Sequence, residues 1–121
     1  MKMTWIGRIV SVAVCLPFLM SAFMKLSTNP QVLEGMNHLG IPETLILPLG
    51  ILETICIFLY LIPMTSTLGA ILFTGYLGGA IVSHLRMGEP VLVQIGLGVI
   101  IWLGLFIQDP RIRQLIPIRK G

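Results

Sequence analysis

The sequence predicts an all-α integral membrane bundle of four transmembrane helices, and three observations carry that prediction. The chain is 55% hydrophobic and only 11% charged, against about 25% charged in soluble domains. So few charges cannot cover a water-facing surface, but they suit a lipid-facing one. Four apolar stretches, roughly 5–23, 45–62, 68–85 and 91–107, each run 17 to 19 residues, close to the ~20 needed to cross a hydrocarbon core about 30 Å thick. Lipid offers the backbone no hydrogen bonds, so spans of this length are helical. The 121 residues are read as one membrane domain, 1–121.

The first stretch follows Lys2 and contains Arg8, the pattern of a signal peptide's basic region. It is long, is interrupted by Pro17 and precedes no clear small-x-small cleavage site, so it is read as a retained span. Pro17 should kink it and free the carbonyl near Ala13. Trp5 suits an interfacial anchor, whereas Trp102 fits either a lipid-facing or a packed position. In the first connection, about 24–44, Asn29-Pro30 reads as an N-cap with proline at the first helical position. Gly40 reads as the stop. Between them Val32, Leu33, Met36 and Leu39 share one face, which predicts a short amphipathic helix lying on the membrane interface. Pro63–Thr67 and Met87–Pro90 are short turns, so the spans on either side of each are antiparallel neighbours.

The net charge is +3, and its distribution decides what it means. Lys2, Arg8, Arg111, Arg113, Arg119 and Lys120 sit on the side of the two termini, while only Lys25 and Arg86 sit on the other. Basic residues flanking spans mark the cytoplasmic side. Both termini are therefore expected in the cytoplasm, with the first and third connections outward. The partner implied by this basicity is the lipid bilayer and not nucleic acid.

Among groups that could carry chemistry, Glu53 is the most informative. It lies eight residues after Leu45, about 12 Å along the helix, where a carboxylate is expensive and normally has a partner. Lys25, His84, Arg86 and Gln94 all fall in the same outer half, and Ser21 lies one turn from Lys25. Each span thus sends a polar group there, and a pocket open to the outer leaflet is the simplest account. Duller readings stand beside it. Glu53 could form a structural ion pair. Lys25 and Arg86, taken alone, would snorkel to the interface, and His84 could be a satisfied core histidine. Cys15 and Cys56 reach similar depth and read as small packing residues in preference to a redox pair. Gly75, Gly79 and Ser83 form a row of small residues. The row favours close packing within the molecule, with a homodimer interface as the alternative. There is no catalytic motif, no phosphate loop and no dinucleotide fingerprint. His38, placed in a loop, and His84 do not make a metal or haem site.

The run Gly75-Tyr76-Leu77-Gly78-Gly79-Ala80 followed by Ser83-His84-Leu85-Arg86 resembles DoxX-like membrane proteins. So do Ser21-Ala22-Phe23-Met24-Lys25-Leu26, Pro48-Leu49-Gly50-Ile51-Leu52-Glu53 and Asp109-Pro110-Arg111. The resemblance covers nearly the whole chain. It implies a four-helix protein of the bacterial inner membrane and singles out Lys25, Glu53, His84 and Arg86. It also implies an association of some relatives with quinone-linked oxidases or redox complexes. Two functional expectations follow. The first is a non-catalytic membrane subunit or small-solute permease component. The second is a redox-associated subunit holding a quinone-like or other amphiphilic ligand in the outer-half pocket. Whether the chain is an enzyme stays open.

Overall fold

The computed structural model describes residues 2–119. The Lys2 side chain and Lys120, both counted above among the basic residues of the terminal side, lie outside the described residues. All regular structure among the described residues is helical: α1 Lys2–Leu26, α2 Pro30–His38, α3 Ile46–Leu61, α4 Ser66–Arg86, α5 Leu92–Gln108 and α6 Pro110–Leu115. Single 3-10 turns at Glu43–Leu45 and Pro63–Thr65 lead into α3 and α4. Three segments are long and apolar enough to cross a membrane, Met3–Leu26, Glu43–Leu61 and Pro63–Arg86. The fourth apolar helix, α5, has 17 residues, the lower end of the spanning range.

The predicted stretches match these helices, but α1 is longer than the apolar run 5–23 and continues unbroken through Pro17. In lipid the backbone has no partner outside the helix, so the segment stays helical on both sides of the proline. The first connection folds as its capping residues dictate. Asn29 Oδ1 accepts from the Gln31 N–H at 2.9 Å, Pro30 opens α2, and Gly40 turns the chain at φ +77°. That positive φ costs glycine little. His38 is not in a loop, as its neighbourhood to Gly40 suggested; it is the last residue of α2.

α1 packs against α3 and α5, and α4 packs against α3 and α5, so the four long helices form a ring in the order α1, α3, α4, α5. Many large apolar side chains are exposed, among them Trp5, Phe23, Phe58, Leu92 and Val99, while Ser11, Lys25 and Glu53 are buried. A broad apolar exterior of this kind marks a surface made to be covered, here by lipid.

The end of the bundle carrying the termini is close-packed through glycine. A Cβ on Gly7 would stand 2.6 Å from Gln108 Cβ, one on Gly104 would stand 2.6 Å from Ser11 Oγ, and one on Gly69 would overlap the Tyr60 backbone. A neutral hydrogen-bond chain runs through this region. Gln108 Nε2 donates to Ser11 Oγ at 3.1 Å, Ser11 donates to Tyr60 Oη at 3.0 Å, and Tyr60 donates to the Ile101 carbonyl at 2.5 Å. Trp102 is half-buried against the core, and its Nε1 ties α5 to α4 by donating to Thr74 Oγ1 at 2.8 Å.

The row Gly75–Gly79 does not make the intramolecular contact expected of it. A Cβ at either position would meet nothing within 4 Å. The close approaches fall to Gly7, Gly69 and Gly104 at the terminal end, which includes the α3–α4 hairpin, and to Gly50 where α3 meets α1, and not to the middle of α4.

Candidate functional site

The site begins with Lys25 in the last turn of α1. Its Nζ donates to Ser21 Oγ one turn earlier at 2.5 Å and to Glu53 Oε1 of α3 at 3.1 Å. Gly50, one turn before Glu53, makes the approach possible, since a Cβ there would come within 2.9 Å of Lys25 Cβ. The snorkelling expectation for Lys25 is overturned: Lys25 is 5% exposed and Glu53 1%. With a carboxylate this close, pairing inside the bundle satisfies the ammonium better than the interface would. The Tyr76 ring of α4 stands 5.8 Å from Lys25 Nζ, so α1, α3 and α4 meet around one neutral pair.

Beside the pair lies a cavity of about 550 Å³, within the ~300–1,000 Å³ typical of small-molecule sites. Phe18 and Tyr76 are its aromatic lining. Behind Phe18, in the buried core, the Phe73 ring stands 4.5 Å away, with Tyr60 edge-on to Phe73 at 5.8 Å. Leu49 and Leu52 of α3, Gly75 and Gly79 of α4, and Leu97 of α5 form walls, and Met36 of α2 and Leu39 at its C-cap cover the loop end. The interface helix predicted from sequence is therefore a roof through its C-terminal half: of the expected apolar face Met36 and Leu39 line the cavity, and Val32 and Leu33 do not.

Of the residues singled out from sequence, Lys25, Glu53, Ser21, His84 and Gln94 all border this one cavity. Gln94 Oε1 is buried with no hydrogen-bond partner among the described residues. His84 Nδ1 lies 2.7 Å from the Ala80 carbonyl. A carbonyl only accepts, so Nδ1 carries the proton and Nε2 is left as the outward-facing nitrogen. Nε2 is 3.9 Å from Glu89 Oε2, while His38 Nε2 is 2.8 Å from Glu89 Oε1. That contact ties the end of α2 to the α4–α5 connection. Arg86 stands apart. It is exposed, and its guanidinium lies over the Gly40 turn, 3.1 Å from where a Cβ there would sit.

Three parts of the site escaped sequence reading. Tyr76 could have been found, because it lies two helical turns before His84 on nearly the same face. The Phe18–Phe73 contact behind the cavity and the Glu89 tether could not, since both depend on long-range contacts. Cys15 and Cys56 are buried and free. Among the described residues, no three His, Cys, Asp or Glu side chains are placed to hold a metal ion.

No curated protein and no solved structure matches the chain. The family model described as the DoxX-like family matches residues 9–106, which takes in most of each of the four long helices and every residue of the cavity. The chain belongs to the DoxX-like family of membrane proteins.

Proposed function

We propose that this chain is a non-catalytic membrane subunit that crosses the bilayer four times and holds a small amphiphilic molecule in its loop-end cavity. One observation carries the reading: a mostly apolar cavity of about 550 Å³ has its polar groups gathered around a buried, mutually neutralised Lys25–Glu53 pair. Pockets of this make-up, apolar walls with a few convergent polar groups, bind and orient small molecules. The packed core that begins at Phe18 and continues through Phe73 and Tyr60 towards the terminal end favours holding a molecule over passing a solute from end to end. A redox-associated role with a quinone-like occupant is one identity the same cavity accommodates.

The test is purification in mild detergent, followed by mass spectrometry of the small molecules retained. Wild type should carry a near-stoichiometric amphiphile. Ala80→Phe, which fills the cavity from α4, should lose it while melting at the same temperature. Retention equal to wild type in Ala80→Phe, or a wild type that retains nothing but detergent, would sink the reading.

The roof is proposed to face outward, with the termini in the cytoplasm, because the basic residues concentrate at the terminal end. Cysteine tags at Asn29 and Ser66 should then react from opposite sides of the membrane. Equal reaction of both with an impermeant outside reagent would contradict the four-span arrangement.

A further inference from the structure

We infer that the occupant is a single-chain amphiphile with an uncharged, hydrogen-bond-donating head, and that its chain lies in a cleft between α3 and α4 that opens sideways to lipid. This rests on the proposed function and names what the cavity holds and how it enters.

The cleft follows from how α3 and α4 part. At their hairpin they are in contact, with Gly69 pressed against the backbone of Tyr60 and Leu59. Further along, Gly75 and Gly79 are exposed, border the cavity, and have nothing within 4 Å of a would-be Cβ. Leu52 of α3, another cavity residue, is 40% exposed. The two helices thus form a V that is closed at the hairpin and open above it. Gly75 and Gly79 lie eleven and seven residues before Arg86, about 16 and 10 Å below the end of α4. The opening therefore falls along the lipid-covered height of the bundle and not at a water-facing end. Side chains at the two glycines would narrow it; their absence leaves it open.

The head group follows from the polar end. Lys25 and Glu53 already neutralise each other at 3.1 Å, with side chains 6% and 2% exposed. A charged head would bring a third, uncompensated charge into apolar surroundings, at a cost that pairing could not offset. Gln94 Oε1, a buried acceptor without a partner, calls for a hydroxyl or N–H donor. An uncharged head with donors meets both conditions.

The experiment titrates the detergent-solubilised full chain with 1-oleoylglycerol, oleate and glycerol, read by native mass spectrometry. 1-Oleoylglycerol has one chain and an uncharged hydroxyl head, oleate adds a charge, and glycerol lacks the chain. Wild type should bind 1-oleoylglycerol at least tenfold more tightly than either of the others. Gly79→Leu should weaken that binding at least tenfold with an unchanged melting temperature. Gly78→Leu, one residue along on a face with open space and no part in the cavity, should bind like wild type. Gly75→Leu repeats the test should Gly79→Leu melt early. Equal binding by Gly79→Leu or Gly75→Leu and wild type overturns the cleft and leaves the cavity standing. Oleate binding as tightly as 1-oleoylglycerol overturns the uncharged head. If wild type binds none of the three, the inference and the function it rests on fall together. If wild type is a dimer that Gly79→Leu converts to a monomer, the cleft belongs to a second copy of the chain and the inference fails.

Discussion

The two ends of the bundle are built from the same four helices and solve the problem of buried polarity in opposite ways. The terminal end brings backbones together through Gly7, Gly69 and Gly104 and satisfies its polar groups with the neutral chain Gln108–Ser11–Tyr60–Ile101. The loop end lets α3 and α4 diverge, keeps Gly75 and Gly79 of α4 open, and buries a charged pair beside a cavity. Close packing lowers the energy of a bundle in lipid, where association depends on van der Waals contact more than on expulsion of water. A cavity gives up those contacts, so its presence at the loop end is the feature that needs a function. The glycines teach the same lesson: identical residues serve contact at Gly7, Gly50, Gly69 and Gly104 and clearance at Gly75 and Gly79.

Breaking the comparison at its strongest point means filling a glycine at each end. Gly69→Leu places a branched side chain where even a Cβ would overlap the Tyr60 backbone. Backbone cannot move aside as a flexible side chain can, so the cost should exceed the ~1–3 kcal/mol usual for overpacking and prevent folding. Gly75→Leu, with nothing within 4 Å, should fold like wild type. Size-exclusion profiles and thermal melts in detergent compare the two. Similar melting of both variants would erase the distinction between the ends.

A smaller effect is expected from Glu53→Ala, which strands the Lys25 ammonium inside the loop end. In soluble proteins, losing one member of a buried pair costs about 3–5 kcal/mol, whereas polar contacts measured in a membrane protein average about 0.6 kcal/mol. The Lys25 Nζ keeps Ser21 as an acceptor, so a loss on the order of 1–3 kcal/mol is expected. Removing Lys25 as well should restore part of it, because the second change takes away the unpaired charge. A Glu53→Ala protein that melts with wild type would show that the pair contributes nothing to the fold.

How far the sequence went is itself split between the two ends. The helices were legible because runs of apolar residues near 20 long leave few alternatives. The cap of α2 was legible because Asn29-Pro30 and Gly40 act locally. Lys25, Glu53, His84 and Gln94 could be grouped by depth alone, since polar residues are costly in a span whatever the fold. Depth says nothing about direction around the helix axis, and so Arg86 was placed with the others although it faces away over the Gly40 turn. The spacing of Gly75 and Gly79 is equally compatible with contact and clearance. What decides is the separation of α3 from α4, a long-range property set by where the hairpin pinches the two helices.

The smallest effect lies beyond the last long helix, at the terminal end, where Asp109 caps α6. Its Oδ1 accepts the Arg111 backbone N–H at 2.9 Å, and the Arg111 guanidinium reaches both carboxylate oxygens at 3.1 and 3.0 Å. The Arg111 side-chain hydrogen bonds hold the Asp109 carboxyl below the usual carboxylate range. A depressed value means that the folded state favours the ionised form. The resulting stability is present above the ordinary aspartate value of about 3.9 and is lost as the pH falls through the lower folded value. Asp109→Ala removes both the cap and the ion pair and should cost about 1 kcal/mol, confined to α6 because nothing in the loop-end cavity depends on it. Asp109→Asn keeps a capping oxygen while losing the charge, so it should retain most of the helix at neutral pH and show no acid transition. Amide signals of residues 111–115 followed by NMR from pH 6 downward would separate the two contributions. Wild type should hold its helical shifts to below about pH 3.9, Asp109→Asn should be indifferent to acid, and Asp109→Ala should be frayed throughout. An acid transition in Asp109→Asn matching that of wild type would assign the titration to another group and detach the C-terminal helix from the charge at its cap.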